Sequence, residues 1–163
     1  MPNCFTIGIL ISFFRVFFRM DSKYSIFDIM GPVMVGPSSS HTAGALKIGS
    51  KVKALAGAGI RSAHIVLYNS FADTGEGHGT NLAIVAGLLG LDTFSHEIKF
   101  SHNIAHVNGM TIDIEKEHDE SKHPNSALII IEKFSGEMIA GFGESLGGGI
   151  ITFNEIKIAK VSE

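Results

Sequence analysis

The sequence holds a single cysteine, Cys4, among 163 residues. One thiol excludes an internal disulfide, and it leaves neither a multi-cysteine zinc site nor an iron–sulfur cluster to this chain alone. That scarcity suits a reducing setting, and the expected location is cytoplasmic. A basic excess is also missing: 13 Lys and Arg face 16 Asp and Glu, for a net charge of −3. Nucleic acid, which asks for a clustered basic surface, is therefore not an expected partner. The apolar run "FTIGILISFFRVFF" (residues 5–18) is too short for a membrane span, at 14 residues interrupted by Arg15, against ~20 for a bilayer. It lacks the basic start and small-residue cleavage site of a signal peptide, and no membrane is expected as a partner. Residues 1–20 read as an apolar extension upstream of a start at Met20, with an amphipathic anchor or partner-binding arm as the alternative. Beyond Met20 there is no repeat and no Pro- or Ser-rich linker. Residues 21–163 are accordingly one domain, and 45% apolar content is enough for one core.

What is present is patterned. Ala45, Ile48, Val52, Leu55 and Ala56 recur at helical spacing, with "GAG" at 57–59 as the stop. "SAHIVLYN" (62–69) is a β-branched apolar run that suits a buried strand. Thr80 is the expected cap of a buried helix, "LAIVAGLLG", and Asp92 or Thr93 the cap of a shorter one through His106. The period then changes. Met110, Ile112 and Ile114 alternate with polar residues, and "ALIIIEKF", a Ser135-Gly136 turn, "EMIAGFGES" and "IITFNEIKI" follow as strands. The expected fold is an α/β sandwich, with a mixed sheet, helices on one face and an antiparallel second half.

Two polar, glycine-rich loops stand out from that scaffold. "GPSSSHTAG" (36–44) places three serines, His41 and Thr42 just before a helix. One serine is enough to cap a helix, so the cluster exceeds what capping needs. The amides of a helix's first turn can also hold an anion such as a carboxylate, and His41 stands at that end. "FADTGEGHGTN" (71–81) follows a strand and opens a helix, a common place for a ligand. It departs from the phosphate-binding G-x-x-x-x-G-K-[ST] pattern, which makes a nucleotide reading weak. Asp73 and His78 form a carboxylate–imidazole pair in one reading, and in the other Asp73 only staples its own turn.

The remaining histidines carry less. His102 and His106 sit at i, i+4, a spacing that can bind zinc, but H-E-x-x-H is absent and no third ligand is evident. Solvated helix positions are the favoured reading for both. His118 and His123 flank a charged loop and are expected to be exposed, and His64 and His96 have no local partner pattern.

"IMGPVMVGPSSSHTAGALKIG" (29–49), "FADTGEGHGTN" and "SLGGGII" (145–151) together resemble the β chain of bacterial iron–sulfur-dependent L-serine dehydratases, from about Asp21 to the C-terminus. The resemblance implies part of an enzyme that converts L-serine to pyruvate and ammonia. It also implies an allosteric-substrate-binding-like fold, since a similar domain serves as an effector module in some phosphoglycerate dehydrogenases. The reaction removes a weakly acidic proton from Cα and expels hydroxide, and the resulting aminoacrylate tautomerises and hydrolyses. A four-iron four-sulfur cluster would act as Lewis acid on the substrate, with a base on the opposite side. Matched onto this chain, His41 is the base. Ser38, Ser39, Ser40 and Thr42 bind the carboxylate or position His41, and Asp73, Thr74 and His78 line the other wall. Whether His41 or His78 is the base stays open.

The cluster's thiolates are absent here, so the resemblance assigns them to a partner, the α chain, and puts the active site between the two chains. Relatives often carry a further regulatory domain after the segment that ends here. A homodimer of the isolated chain stays open. The alternative function is a non-catalytic module that binds serine as an effector and signals its occupancy to a partner enzyme; a zinc hydrolase built on His102 and His106 is a third.

Overall fold

The computed structural model describes residues 32–156. The expectations for residues 1–20 and for the end of the last strand beyond Ile156 lie outside those residues. Five strands form one sheet in the order β2-β1-β3-β4-β5, where β1 is Ile60–Tyr68, β2 Thr111–Glu117, β3 Ser126–Lys133, β4 Met138–Gly147 and β5 Ile150–Ile156. β1 and β2 are parallel, and every later pairing is antiparallel. A parallel pair needs a long crossover. Here it consists of α2 (Ser70–Thr74), α3 (Thr80–Leu89), a 3₁₀ turn (His96–Phe100) and α4 (Ser101–Val107), while α1 (Ala45–Ala56) precedes β1. The antiparallel pairs need only tight turns: Gly136 (φ 78°) serves β3–β4, and Gly147, Gly148 and Gly149, all at positive φ, serve β4–β5.

The core lies between the sheet and the helices. Alternation along β1 and β3 turns Ala63, Ile65, Leu67, Ala127, Ile129 and Ile131 onto one face, where they pack with α1 and α3. Each fully buried Ile or Leu side chain there contributes roughly 1.5–3 kcal/mol. β4 has glycine at the inward positions 141 and 143, and α1 sits low over them. A β-carbon on Gly143 would stand 2.7 Å from the Ile48 side chain. The α1–α3 contact is closer still, because a β-carbon on Gly87 would meet the Leu46 carbonyl and come within 2.7 Å of Ser50 N. This tight packing fixes α1, and with it the turn at its N-terminus, against the sheet end. Among the described residues no helix is long and apolar enough to cross a membrane.

Several expected details differ. Leu55 belongs to the α1 spacing but is 39% exposed, whereas Ala45, Ile48, Val52 and Ala56 are buried. The stripe drifts as 3.6 residues per turn accumulate, and Ala56 takes the inward place. Thr80 is not a cap: it is the first residue of α3, fully buried, and left-handed Gly79 precedes it. Neither Asp92 nor Thr93 starts a helix, since Ser95 caps the 3₁₀ turn by accepting from Glu97 N at 3.2 Å. The "GPSSSHTAG" segment is not a loop throughout. Ser39–Gly44 is already helical, with a turn wider than α, and runs directly into α1.

Candidate functional site

The wide turn has a cause in β4. Ser145 is fully buried, and its hydroxyl donates to the Ser40 carbonyl oxygen at 2.9 Å. A side chain inserted on a first-turn carbonyl pulls it off the regular ladder. Ser38 caps the turn, its Oγ accepting from His41 N at 3.1 Å and its carbonyl from Thr42 N at 2.9 Å. Two first-turn amides are thus already taken, which leaves less of the helix end for an anion than a bare N-terminus would offer.

His41 projects from this turn into a ring of hydroxyls. Its Nδ1 lies 3.2 Å from Ser38 Oγ and 3.2 Å from Ser40 Oγ, and its Nε2 lies 3.2 Å from Ser70 Oγ. Ser70 opens α2 directly after β1 and is the site residue that sequence reasoning missed. Phe71, fully buried, presents an edge-on contact to the imidazole at 5.5 Å, and the His78 ring is tilted against it at 4.9 Å. Burial first, and the neighbouring His78 second, lower the His41 pKa below the usual histidine value. The result is a half-buried, predominantly neutral imidazole at neutral pH, with both nitrogens in reach of hydroxyls that either donate or accept.

The other sequence candidates divide. Thr42 is buried and donates from Oγ1 to the His78 carbonyl oxygen at 3.1 Å, so it ties the two loops together. Ser39 begins the helical turn and is half-buried. His78 stands beside His41, and its Nδ1 is buried with no hydrogen-bond partner among the described residues. Such an atom is costly unless something binds it. Asp73 does not pair with His78. It lies exposed on α2, 3.4 Å from His118 Nε2. Thr74 is bonded within its own helix, Oγ1 donating to Ser70 O at 2.6 Å. A shallow cleft of about 240 Å³ lies behind His78, lined among others by Thr42, Glu76, Gly79 and Lys99.

Histidines elsewhere take structural or surface roles. His64 pairs across the strands with Asp113 at 2.7 Å, a partner that sequence neighbourhood could not reveal. His123 is half-buried, and its Nδ1 accepts from Asn125 N at 3.1 Å, contrary to the exposure expected of it. His102 and His106 lie on α4, and no group of three or more His, Cys, Asp or Glu side chains suited to a metal occurs among the described residues.

Fold and site together define a mixed α/β domain that presents a half-buried imidazole, held by serine hydroxyls, at one end of its sheet. The chain belongs to the serine dehydratase β-chain family: the family model described as "Serine dehydratase beta chain" matches residues 25–108, the stretch that carries His41, Ser70 and His78. The chain is 47% identical over 135 residues to the Bacillus subtilis protein named "Probable L-serine dehydratase, beta chain". It is 40% identical over 141 residues to the L-serine dehydratase β chain of Peptoniphilus asaccharolyticus. These matches cover 82% and 84% of this chain but 61% and 64% of the two relatives. L-serine dehydratase TdcG of Escherichia coli is 33% identical over 154 residues, covering 80% of this chain and 34% of that protein.

Proposed function

We propose that this chain is the β component of an L-serine dehydratase, converting L-serine to pyruvate and ammonia together with a second, α-type chain. The observation that carries this reading is the state of His41. An imidazole held neutral by burial has the lone pair that removal of the Cα proton requires, and its three hydroxyl contacts orient it. Ser38 and Ser40 hold the Nδ1 side. Nε2 is the nitrogen assigned to the Cα proton, with the Ser70 hydroxyl holding it until substrate arrives. The buried Nδ1 of His78, without a partner among the described residues, is the further polar group assigned to the substrate side of the site. Thr42 supports the site by tying the His41 turn to the His78 loop.

A four-iron four-sulfur cluster does not fit this chain's own donors. There is one cysteine in the sequence, and it is distant in sequence from every site residue. The cluster is therefore assigned to the α chain. The names of the relatives, β chains of L-serine dehydratases, support a partner of this kind.

The test is reconstitution with an α chain and iron, followed by pyruvate formation with the wild-type chain, His41→Ala and His41→Gln. Loss of a general base should lower kcat by roughly 10²–10⁴-fold in both variants. A second reading, an effector module that only binds serine, draws on the fact that both ring nitrogens already face hydroxyls. It predicts that His41→Gln keeps kcat and weakens only the affinity for serine.

A further inference from the structure

Asn69 is the one non-glycine residue at positive φ among the described residues, with φ 50° and ψ −116° at the corner between β1 and α2. Glycine adopts such a conformation freely, whereas a residue with a β-carbon is strained there and stays only where its surroundings hold it. The Asn69 backbone N–H donates to Glu117 O and its carbonyl accepts from Asp73 N, both at 2.9 Å, and its side chain adds three further bonds. Nδ2 donates to Asp119 O at 2.9 Å and Lys122 O at 3.3 Å, and Oδ1 accepts from Asp119 N at 2.9 Å. All three bonds go to one turn, itself closed by Lys122 N donating to Asp119 O at 3.0 Å and by Ser121 donating twice to the Asp119 carboxylate. The strap leading away from that turn grips the corner a second time, where Phe71 N donates to Pro124 O at 3.2 Å.

The opposite side of the corner faces His41. Ser70, next in the chain, stands at its Nε2, and Phe71 lies edge-on to its ring. Both residues that touch the imidazole from this side therefore follow directly on the strained residue. A peptide flip at Asn69 would carry the Ser70 hydroxyl away from Nε2. Which nitrogen of a neutral imidazole carries the proton is set by the bonds its nitrogens make.

We propose that Asn69 is a positioning residue: by pinning the β1–α2 corner to the Asp119–Lys122 turn, it sets Ser70 against His41 Nε2 and so selects the tautomer and orientation of the imidazole. The proposal rests on His41 being the working group of the site. Three variants of the full chain separate it from simple folding effects. Asn69→Gly relieves the strain but loses the clamp, Ser70→Ala removes the intermediary, and the third variant combines both. The first readout is the ring-nitrogen NMR spectrum and titration of His41 in the isolated chain, which requires no activity. The second is kcat and its acid limb in the reconstituted two-chain enzyme.

Asn69→Gly should fold, should shift the His41 tautomer balance and titration midpoint, and should lower kcat roughly tenfold, within what a displacement of about 1 Å costs. In the Ser70→Ala background the same change should add nothing, because Asn69 acts through Ser70. Unaltered His41 nitrogen shifts in Asn69→Gly, or a shift of equal size with and without Ser70, would overturn the proposal. If His41→Gln keeps full kcat while the NMR coupling persists, the catalytic reading fails and the positioning role stands, so the two failures remain distinct.

Discussion

The joint between the wide turn and β4 can be probed at Gly44, which faces Ser145. A β-carbon on Gly44 would overlap Ser145 Oγ and stand 2.7 Å from Ser145 Cβ. The first atom can rotate away, but the second is fixed to the β4 backbone, whose N–H donates to Asn125 O at 2.8 Å. Gly44→Ala should therefore strain the joint by about 1–3 kcal/mol. Displacing the hydroxyl also deprives the Ser40 carbonyl of its donor, at about 1 kcal/mol. Gly44 already has helical φ and ψ (−63°, −47°), so alanine returns about 1 kcal/mol of helix propensity. The net expectation is a loss of about 2 kcal/mol. Ser145→Gly alone should cost a similar amount, through the missing hydrogen bond and the freer strand backbone, about 1 kcal/mol each. In Gly44→Ala/Ser145→Gly the new methyl occupies the vacated space, and the double variant should be no less stable than Ser145→Gly. Urea unfolding of the four proteins at constant m-value measures the cycle, with a favourable coupling on the order of 2 kcal/mol expected. Additivity to within about 0.5 kcal/mol would refute the claim that these two residues share one packed joint.

Other positions give sharper or simpler outcomes. Gly87→Ala puts a methyl against the backbone of α1 at Leu46 and Ser50, and neither helix has room to yield. A loss of about 3 kcal/mol is expected, read as a fall in Tm of roughly 10 °C; a wild-type Tm would contradict the close α1–α3 contact. The lowered pKa of His41, caused first by burial and then by His78, means that the unfolded chain takes up a proton before the folded one does. Stability should therefore fall as pH drops from the unfolded value near 6.5 toward the lowered folded value, and this slope should shrink in His41→Asn when urea midpoints are compared across that range. Hydrogen bonds from Ser121 and then Lys122 hold the Asp119 carboxyl at about 2, against an ordinary 3.8. Its contribution is present above the ordinary value and lost as pH falls through the folded one, and a carboxyl-carbon NMR titration should give a midpoint near that of the folded state.

The parts of the fold that were legible were those whose signal is periodic and whose partners are near in sequence. Alternation at Ile112 and Ile114 marked β2, and Ser135-Gly136 marked the β3–β4 turn, because each depends on a few neighbouring residues. A mixed sheet was legible, but the edge of β1 on which β2 pairs was not, since nothing in either strand encodes where the crossover returns. The N-terminus of α3 misled for a related reason. Thr80 has the chemistry of a cap, yet packing against the crossover buries it fully, and left-handed Gly79 starts the helix without a side-chain cap.

The site divides along the same line. Ser38 and Ser40 lie three residues and one residue before His41, and a serine-rich run beside a histidine was enough to single them out. Ser70 is 29 residues away, the clamp from Asn69 spans 50, and the Ser145 bond to the turn spans 105. None of these separations leaves a local pattern. Yet the near hydroxyls both address Nδ1, and a ring held at one nitrogen can still pivot about that contact and exchange tautomers. Orientation requires a bond at Nε2, and here that bond comes from a different element, held by a strained asparagine and the turn it grips. The local motif thus supplies the imidazole and its immediate hydrogen-bonding partners, while its direction depends on tertiary structure. A peptide copy of residues 36–49 should accordingly show His41 titrating near the ordinary value of about 6.5 with mixed tautomers, whereas the folded chain should hold one tautomer and titrate lower; identical titration of the two would mean that the fold does nothing to the ring.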